Sequence, residues 1–140
     1  MAKKILLEVV TPDKLLLSKE VDVVVATGVD GEFGVLHGHV PFLSSLAIGE
    51  MRFKDGNDTD YAAIAGGFAE VTGEKVTILA EAAELAREID VDRAKSARER
   101  AQQRVEKARA EELDYLRAET ALKKAMMRLK VAGRAGGGMS

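Results

Sequence analysis

Apolar and polar positions alternate along the first eighty residues with the two-residue period of strands. Ile5-Leu6-Leu7-Glu8-Val9-Val10 stops at Thr11-Pro12-Asp13, a turn signal. Lys14 to Leu17 and Val21 to Ala26 are rich in branched apolar residues, and the period predicts that Val21, Val23 and Val25 share one face. Gly28, Gly31, Gly34, Gly38 and Pro41 then mark a loop-rich stretch. Met51 to Lys54 alternates again and ends at Asp55-Gly56-Asn57, a hairpin signal. Tyr61 to Ala65, Gly67 to Val71 and Val76 to Leu79 complete the set, punctuated by Gly66-Gly67 and Gly73-Glu74. Short strands at close spacing predict a β-sandwich or barrel, with no helix before residue 81.

From Glu81 to Ala132 the chain contains no Gly or Pro, and Ala, Glu, Lys, Arg and Leu dominate. Ala94, Ala97, Ala101, Val105 and Ala108 line one helical stripe, and Leu122, Ala125, Met126 and Leu129 line another. Asp90 or Asp92 can cap the first helix, and Gly133 is placed to stop the second. The pattern predicts an α+β fold class: an N-terminal β-sandwich or barrel followed by a C-terminal helical module, which can fold as a two-helix hairpin or extend. The expected boundaries are 1–88 for the sandwich, 89–133 for the hairpin and 134–140 for a flexible tail. Alanine buries little area, so its seam is weak at roughly 25 cal/mol per Å². The turn region from Arg109 to Asp114 has no Gly or Pro. Nothing therefore forces a hairpin over a rod of residues 91–132, about 60 Å long. A module able to fold back or extend is the raw material of a switch.

Charge sharpens this division. The chain has 140 residues and a net charge of -2. Residues 1–92 hold 8 Lys/Arg against 17 Asp/Glu, a net of -9, and the remainder holds 13 against 6, a net of +7. The basic tail suits nucleic acid, an acidic protein surface, a phosphorylated ligand or the acidic first module, and a basic solvated helix accounts for it equally. There is no cysteine, which excludes disulfides and thiolate chemistry. No signal peptide or membrane-spanning apolar run is seen, pointing to the cytoplasm by default.

Chemistry-bearing constellations are few. His37-Gly38-His39 resembles part of a cupin metal site but needs a further ligand, and there is no third histidine. No serine sits in a nucleophile elbow, and Gly31-Glu32-Phe33-Gly34 lacks the ending of a phosphate loop. The reading is therefore no catalytic residues, no metal and no enzyme. A nucleic-acid-binding tail would bring few aromatics for stacking, and the acidic first module would repel phosphates. Glu32 and His39 stand in the glycine-rich stretch, either solvated or as a contact surface.

Several segments, in order, match one family. Val10-Thr11-Pro12-Asp13 opens the chain in the manner of epsilon subunits of bacterial F-type rotary ATP synthases. The run Gly31 to Pro41 is similar to that family's loop, with His37 where proline is usual. Ala65-Gly66-Gly67-Phe68-Ala69-Glu70-Val71, Lys75 to Ala80 leading into Ala83-Glu84, Ile89-Asp90-Val91-Asp92-Arg93-Ala94 and Ala121 to Leu129 also fit. The likeness covers residues 5 to 132.

The resemblance implies a non-catalytic rotor subunit of a proton-translocating ATP synthase, at the cytoplasmic face of the bacterial inner membrane. It implies the gamma subunit, the c-subunit ring and the beta and alpha subunits as partners, with membrane contact only through the complex and no nucleic acid. Glu32 and His39 match positions facing the ring and stalk. Lys123, Lys124, Arg128 and Lys130 would meet the catalytic head when the helices extend and inhibit hydrolysis. No cofactor is required. Some members bind ATP as a regulatory ligand, and the matching positions are Glu84, Asp90, Arg93, Ala94, Lys124 and Arg128. Lys124 replaces the arginine of tight binders and cannot make its bidentate fork. The alternative is that Asp90 caps the helix and Arg93 pairs with nearby carboxylates.

Overall fold

The computed structural model describes residues 3–108 and 112–137. The chain divides into two compact units, Met1–Leu85 and Ala86–Ser140. The first contains β1 (Ile5–Val10), β2 (Leu15–Val21), β3 (Val23–Gly28), β4 (Gly31–Val35), β5 (Phe42–Asp55), β6 (Asp58–Val71), β7 (Lys75–Ala80) and β8 (Ala83–Leu85). The strand order is β2-β1-β7-β6-β5-β3-β4, with β8 pairing β6 off that path. β1 and β7 run parallel, and among the described residues the other neighbouring strands are antiparallel.

The sandwich arises because the β5–β6 hairpin is long enough to serve two layers. The Gly67–Val71 half of β6 pairs β7, whereas Ala62–Ile64 pairs β8. Gly67 makes the change of partner possible. Its φ is +120°, and a Cβ there would lie 2.0 Å from the Leu79 carbonyl oxygen, so only glycine fits. Two segments read from sequence as separate strands, Tyr61–Ala65 and Gly67–Val71, are therefore one bent strand. The hairpin turn at Gly56 has φ +64°, as a mirror-image turn requires at its first position.

Alternation places Ile5, Leu7 and Val9 of β1 against Val76 and Ile78 of β7, all fully buried. Met51, Phe53, Ile64 and Leu85 extend this core. The expected face of Val21, Val23 and Val25 is not formed. Val21 ends β2, Asp22 makes a bend, and β3 restarts with Val24 and Ala26 inward. Asp22 fixes that bend with its backbone N–H on the Lys54 carbonyl oxygen at 2.7 Å and its carboxylate on the Gly56 N–H at 2.7 Å. The flip is the one-residue register change that reverses every side chain of a strand.

The second unit opens with a 3-10 turn at Ala86–Glu88, then α1 (Val91–Lys107) and α2 (Glu112–Gly137). The turn packs on α2, burying Ala86 and Ile89, so the helical unit begins earlier than residue 89. Asp90 is the N-cap: its Oδ1 accepts from Arg93 N–H at 3.1 Å. α1 and α2 pack together, and Ala94, Ala101, Ala118 and Ala125 are almost fully buried. Gly133 does not stop the second helix, which continues through Gly137. Its neighbours Ala132 and Arg134 sustain the helix, and one glycine costs only about 1 kcal/mol. That helix takes in the first part of the expected tail; residues 138–140 lie outside the described residues, as do residues 109–111 of the expected inter-helix turn.

Candidate functional site

Three features of these two units carry charge or exposed apolar area beyond what folding uses. The first is at the β4 end of the sandwich. Glu32 lies on β4, not in a loop, and pairs with Thr27 of β3. Both carboxylate oxygens face Arg52 of β5, at 3.4 Å to Nη1 and 3.3 Å to Nη2. His39 lies in the segment between β4 and β5. Its Nδ1 donates to the Val40 carbonyl oxygen at 2.7 Å, and its ring meets Phe42 edge-on at 6.1 Å. Phe42 in turn meets Phe33 at 5.1 Å. The structure thus brings His39 close to β4, although Glu32 and its neighbour Phe33 alternate across the strand. Backbone bonds from Gly38 to Gly73 and from His39 to Leu36 hold the segment.

The second feature is an apolar row across the sheet. Phe68 pairs with Leu79, Leu79 with Val10 and Val10 with Leu15, so their side chains line one face in register. Phe68 is 53% exposed, Leu79 49% and Leu15 54%. Leu43, 69% exposed, continues the face along β5. The next row on that face holds Glu70, Thr77 and Glu8. Sequence reading missed this surface because strand neighbours far apart in the chain create it. The excess of apolar residues outside the alternating core positions was its only signal.

The third is a cleft of about 340 Å³ in the helical unit, lined by Asp92, Arg93, Ser96, Ala97, Arg100 and Arg128. Of the six residues expected to touch a nucleotide, Arg93 and Arg128 line it. Asp90 is engaged as the cap, Ala94 is buried and Lys124 is exposed on α2. Glu84 lies on β8, in the other unit. Arg100 was missed, yet its spacing of seven from Arg93 puts both on one helical face. Lys123 pairs with Glu119 one turn earlier at 3.5 Å, and Lys130 is exposed.

The displaced titrations lie away from all three. Asp55 is held below the usual carboxylate range by its hydrogen bond to Lys4, and Lys4 is raised by the same bond. Lys19 adds a 3.8 Å contact to Asp55. This cluster fastens the segment before β1 to the β5–β6 hairpin. Among the described residues no group of three potential ligands gathers around His37 and His39, and no helix is long and apolar enough to cross a membrane.

Both units match one family. The beta-sandwich domain of the ATP synthase delta/epsilon chain matches residues 4–86, and its long alpha-helix domain matches residues 87–133. The chain belongs to the ATP synthase epsilon chain family. An epsilon chain of Nitratidesulfovibrio vulgaris is 52% identical over 135 residues, covering 96% of this chain and 100% of its own length. That of Syntrophobacter fumaroxidans is 56% identical over 132 residues, covering 94% and 98%. A chain of the Euglena gracilis mitochondrial ATP synthase, solved with OSCP, F1 and c-ring, superposes with a TM-score of 0.77 at 27% identity, covering 97% of this chain and 82% of its own. The family boundary near residue 86 agrees with the point at which the chain divides into its two units.

Proposed function

We propose that this chain is a non-catalytic rotor subunit in the central stalk of a proton-translocating ATP synthase. Its sandwich joins the gamma subunit to the c ring, and its helices restrain ATP hydrolysis by the alpha and beta subunits. It acts at the cytoplasmic face of the bacterial inner membrane without entering the bilayer. The observation that carries the reading is the in-register row of Leu15, Val10, Leu79 and Phe68. Three of these large apolar side chains are about half exposed or more. Such a contiguous row marks an interface in a protein that works in a complex. Glu8 in the adjoining row is already paired with Lys75, and the exposed Glu70 favours a partner with a basic residue beside an apolar strip; gamma is assigned to it.

Glu32 and His39 are assigned to the ring side of the same unit. Lys123, Lys124, Arg128 and Lys130 supply the helical unit with cations for an acidic surface of the catalytic head. ATP is a regulatory ligand of the helical unit. The cleft supports this with guanidinium groups for phosphates from Arg93, Arg100 and Arg128, and with Ser96 as a further donor. Lys124 stands apart from this cleft as described, so the shortage of a fork at that position matters less than Arg93 and Arg100.

The test is reconstitution of ATP synthase membranes stripped of their own epsilon chain. Added full-length chain should restore coupled proton pumping and lower ATP hydrolysis. Leu79→Glu with Phe68→Glu should abolish rebinding while the isolated chain melts normally. Normal rebinding by that variant would remove the apolar row from the interface.

A further inference from the structure

Glu32 is an exposed carboxylate on a sheet edge, but its position is already set by the protein. β4 is the last strand in the sheet order and pairs with β3 through five residues. Arg52 on β5 reaches past β3 and meets both Glu32 oxygens. Arg52 pairs with Val25 and Glu32 with Thr27, so the ion pair crosses β3 diagonally. The strand beneath is locked in turn: the Thr27 hydroxyl donates to the Glu50 carbonyl oxygen at 3.1 Å. Gly34, two residues along β4 on the Glu32 face, has no side chain to crowd the guanidinium.

We infer that Arg52 is a positioning residue for docking, holding the Glu32 carboxylate in one orientation for a hydrogen-bond donor or cation on the partner. The inference rests on the assignment of Glu32 to the partner contact. A carboxylate offers about four lone-pair positions, and the guanidinium fork occupies two. The remaining two stay available, since the Glu32 side chain is 56% exposed and Arg52 43%. A glutamate free on a strand would have to surrender its rotamer freedom on binding, and the fork removes that cost beforehand. Lysine would hold the charge without fixing the plane of the carboxylate. The simpler role for such a pair is to keep an edge strand charged against strand addition. That role requires no particular orientation, and reversing the pair would preserve it.

The experiment measures rebinding of full-length variants to membranes stripped of their own epsilon chain, with thermal melting of each variant in parallel. Glu32→Gln and Arg52→Ala should each weaken rebinding about three- to five-fold, the scale of one ordered side chain. The double variant should be no weaker than either single one, and Arg52→Lys should recover only part of the loss. The swapped pair, Glu32→Arg with Arg52→Glu, should melt like the parent and still bind poorly. Normal binding by Arg52→Ala alongside impaired binding by Glu32→Gln would overturn the inference while leaving the Glu32 contact in place. Additive losses in the double variant, or full binding by the swapped pair, would also overturn it. Normal binding by Glu32→Gln would overturn both the contact and the inference.

Discussion

Replacing Ala101 by leucine should open the helical hairpin. Ala101 is 2% exposed, and Ala94, Ala118 and Ala125 are at 0%, 0% and 2%. Four buried methyl groups at about 0.8 kcal/mol each give roughly 3 kcal/mol of seam. A leucine adds three carbons where no space remains, and overpacking of this kind costs about 1–3 kcal/mol. At its upper end the perturbation is therefore as large as the alanine contribution to the seam. At about 1.4 kcal/mol per tenfold change, the closed form should lose about five- to 140-fold in relative population. The absence of cysteine makes the assay direct. Cysteines replacing Lys95 and Lys130, both exposed, carry a pair of spin or fluorescent labels on the full chain. Packed helices 8–10 Å apart keep such labels within about 20 Å, whereas a continuous rod separates them by about 50 Å. Ala101→Leu should move the distribution to the long distance, and Gln103→Leu on the exposed face should leave it unchanged. A short distance and an unchanged melting temperature in Ala101→Leu would refute the claim that alanine size sets the strength of the seam.

Four further outcomes follow from the same structure. Deleting residues 86–140 should leave a folded domain with a cooperative melt, because the sandwich core ends at Leu85; a molten product would show that the helices complete it. Gly67→Ala should destabilise the sandwich by about 3 kcal/mol or more in denaturant unfolding, through positive φ and the clash with the Leu79 carbonyl, and a loss under about 0.5 kcal/mol would contradict the bend. Asp55 ionises more readily when folded, so its contribution is present above the ordinary carboxylate range and fades as pH falls through the lowered value. Asp55→Asn should accordingly flatten the stability profile below about pH 4, and an unchanged acid limb would show the Lys4 bond to be inconsequential. In calorimetric titration of ATP into the full chain, Arg100→Ala should weaken binding about tenfold or more, as loss of a charge-assisted hydrogen bond requires; undiminished heat would place the nucleotide elsewhere.

The division into strands and helices was legible because each half keeps one period throughout. The capping of α1 was legible too, since Asp90 immediately precedes an uninterrupted helical stretch. What failed to show was the bending of strands. Gly31 and Gly34 mimic a loop, yet they sit in β4, where a glycine costs little on an exposed edge. Gly66-Gly67 reads as an interruption, although long-range contact with β7 turns it into a bend within β6. The Val21 face was misread because Asp22 resets the alternation through bonds to Lys54 and Gly56, residues over thirty positions away. The site shows the same limit. Arg93 and Arg128, expected from motif likeness, both line the helical cleft, but the Arg52–Glu32 pair depends on a diagonal across three strands that no local pattern records.

The parallel pairing of β1 with β7 has a consequence for biosynthesis. β1 precedes the other strands of this sheet and Leu6 meets Glu20 of β2 early, but its partner on the other side is complete only when Lys75 has been synthesised. Until then the chain can form the β1–β2 and β5–β6 hairpins, while the buried face of β1 has nothing to cover it. Closing so long a loop is slow compared with forming hairpins, and an apolar strand left waiting is open to wrong partners. Translation relieves this in one step: β7 and β8 follow β6 within a few residues, so the sandwich can close before most of the helical unit has been made. The helices, whose contacts are local, then fold onto one another without competing for the strands.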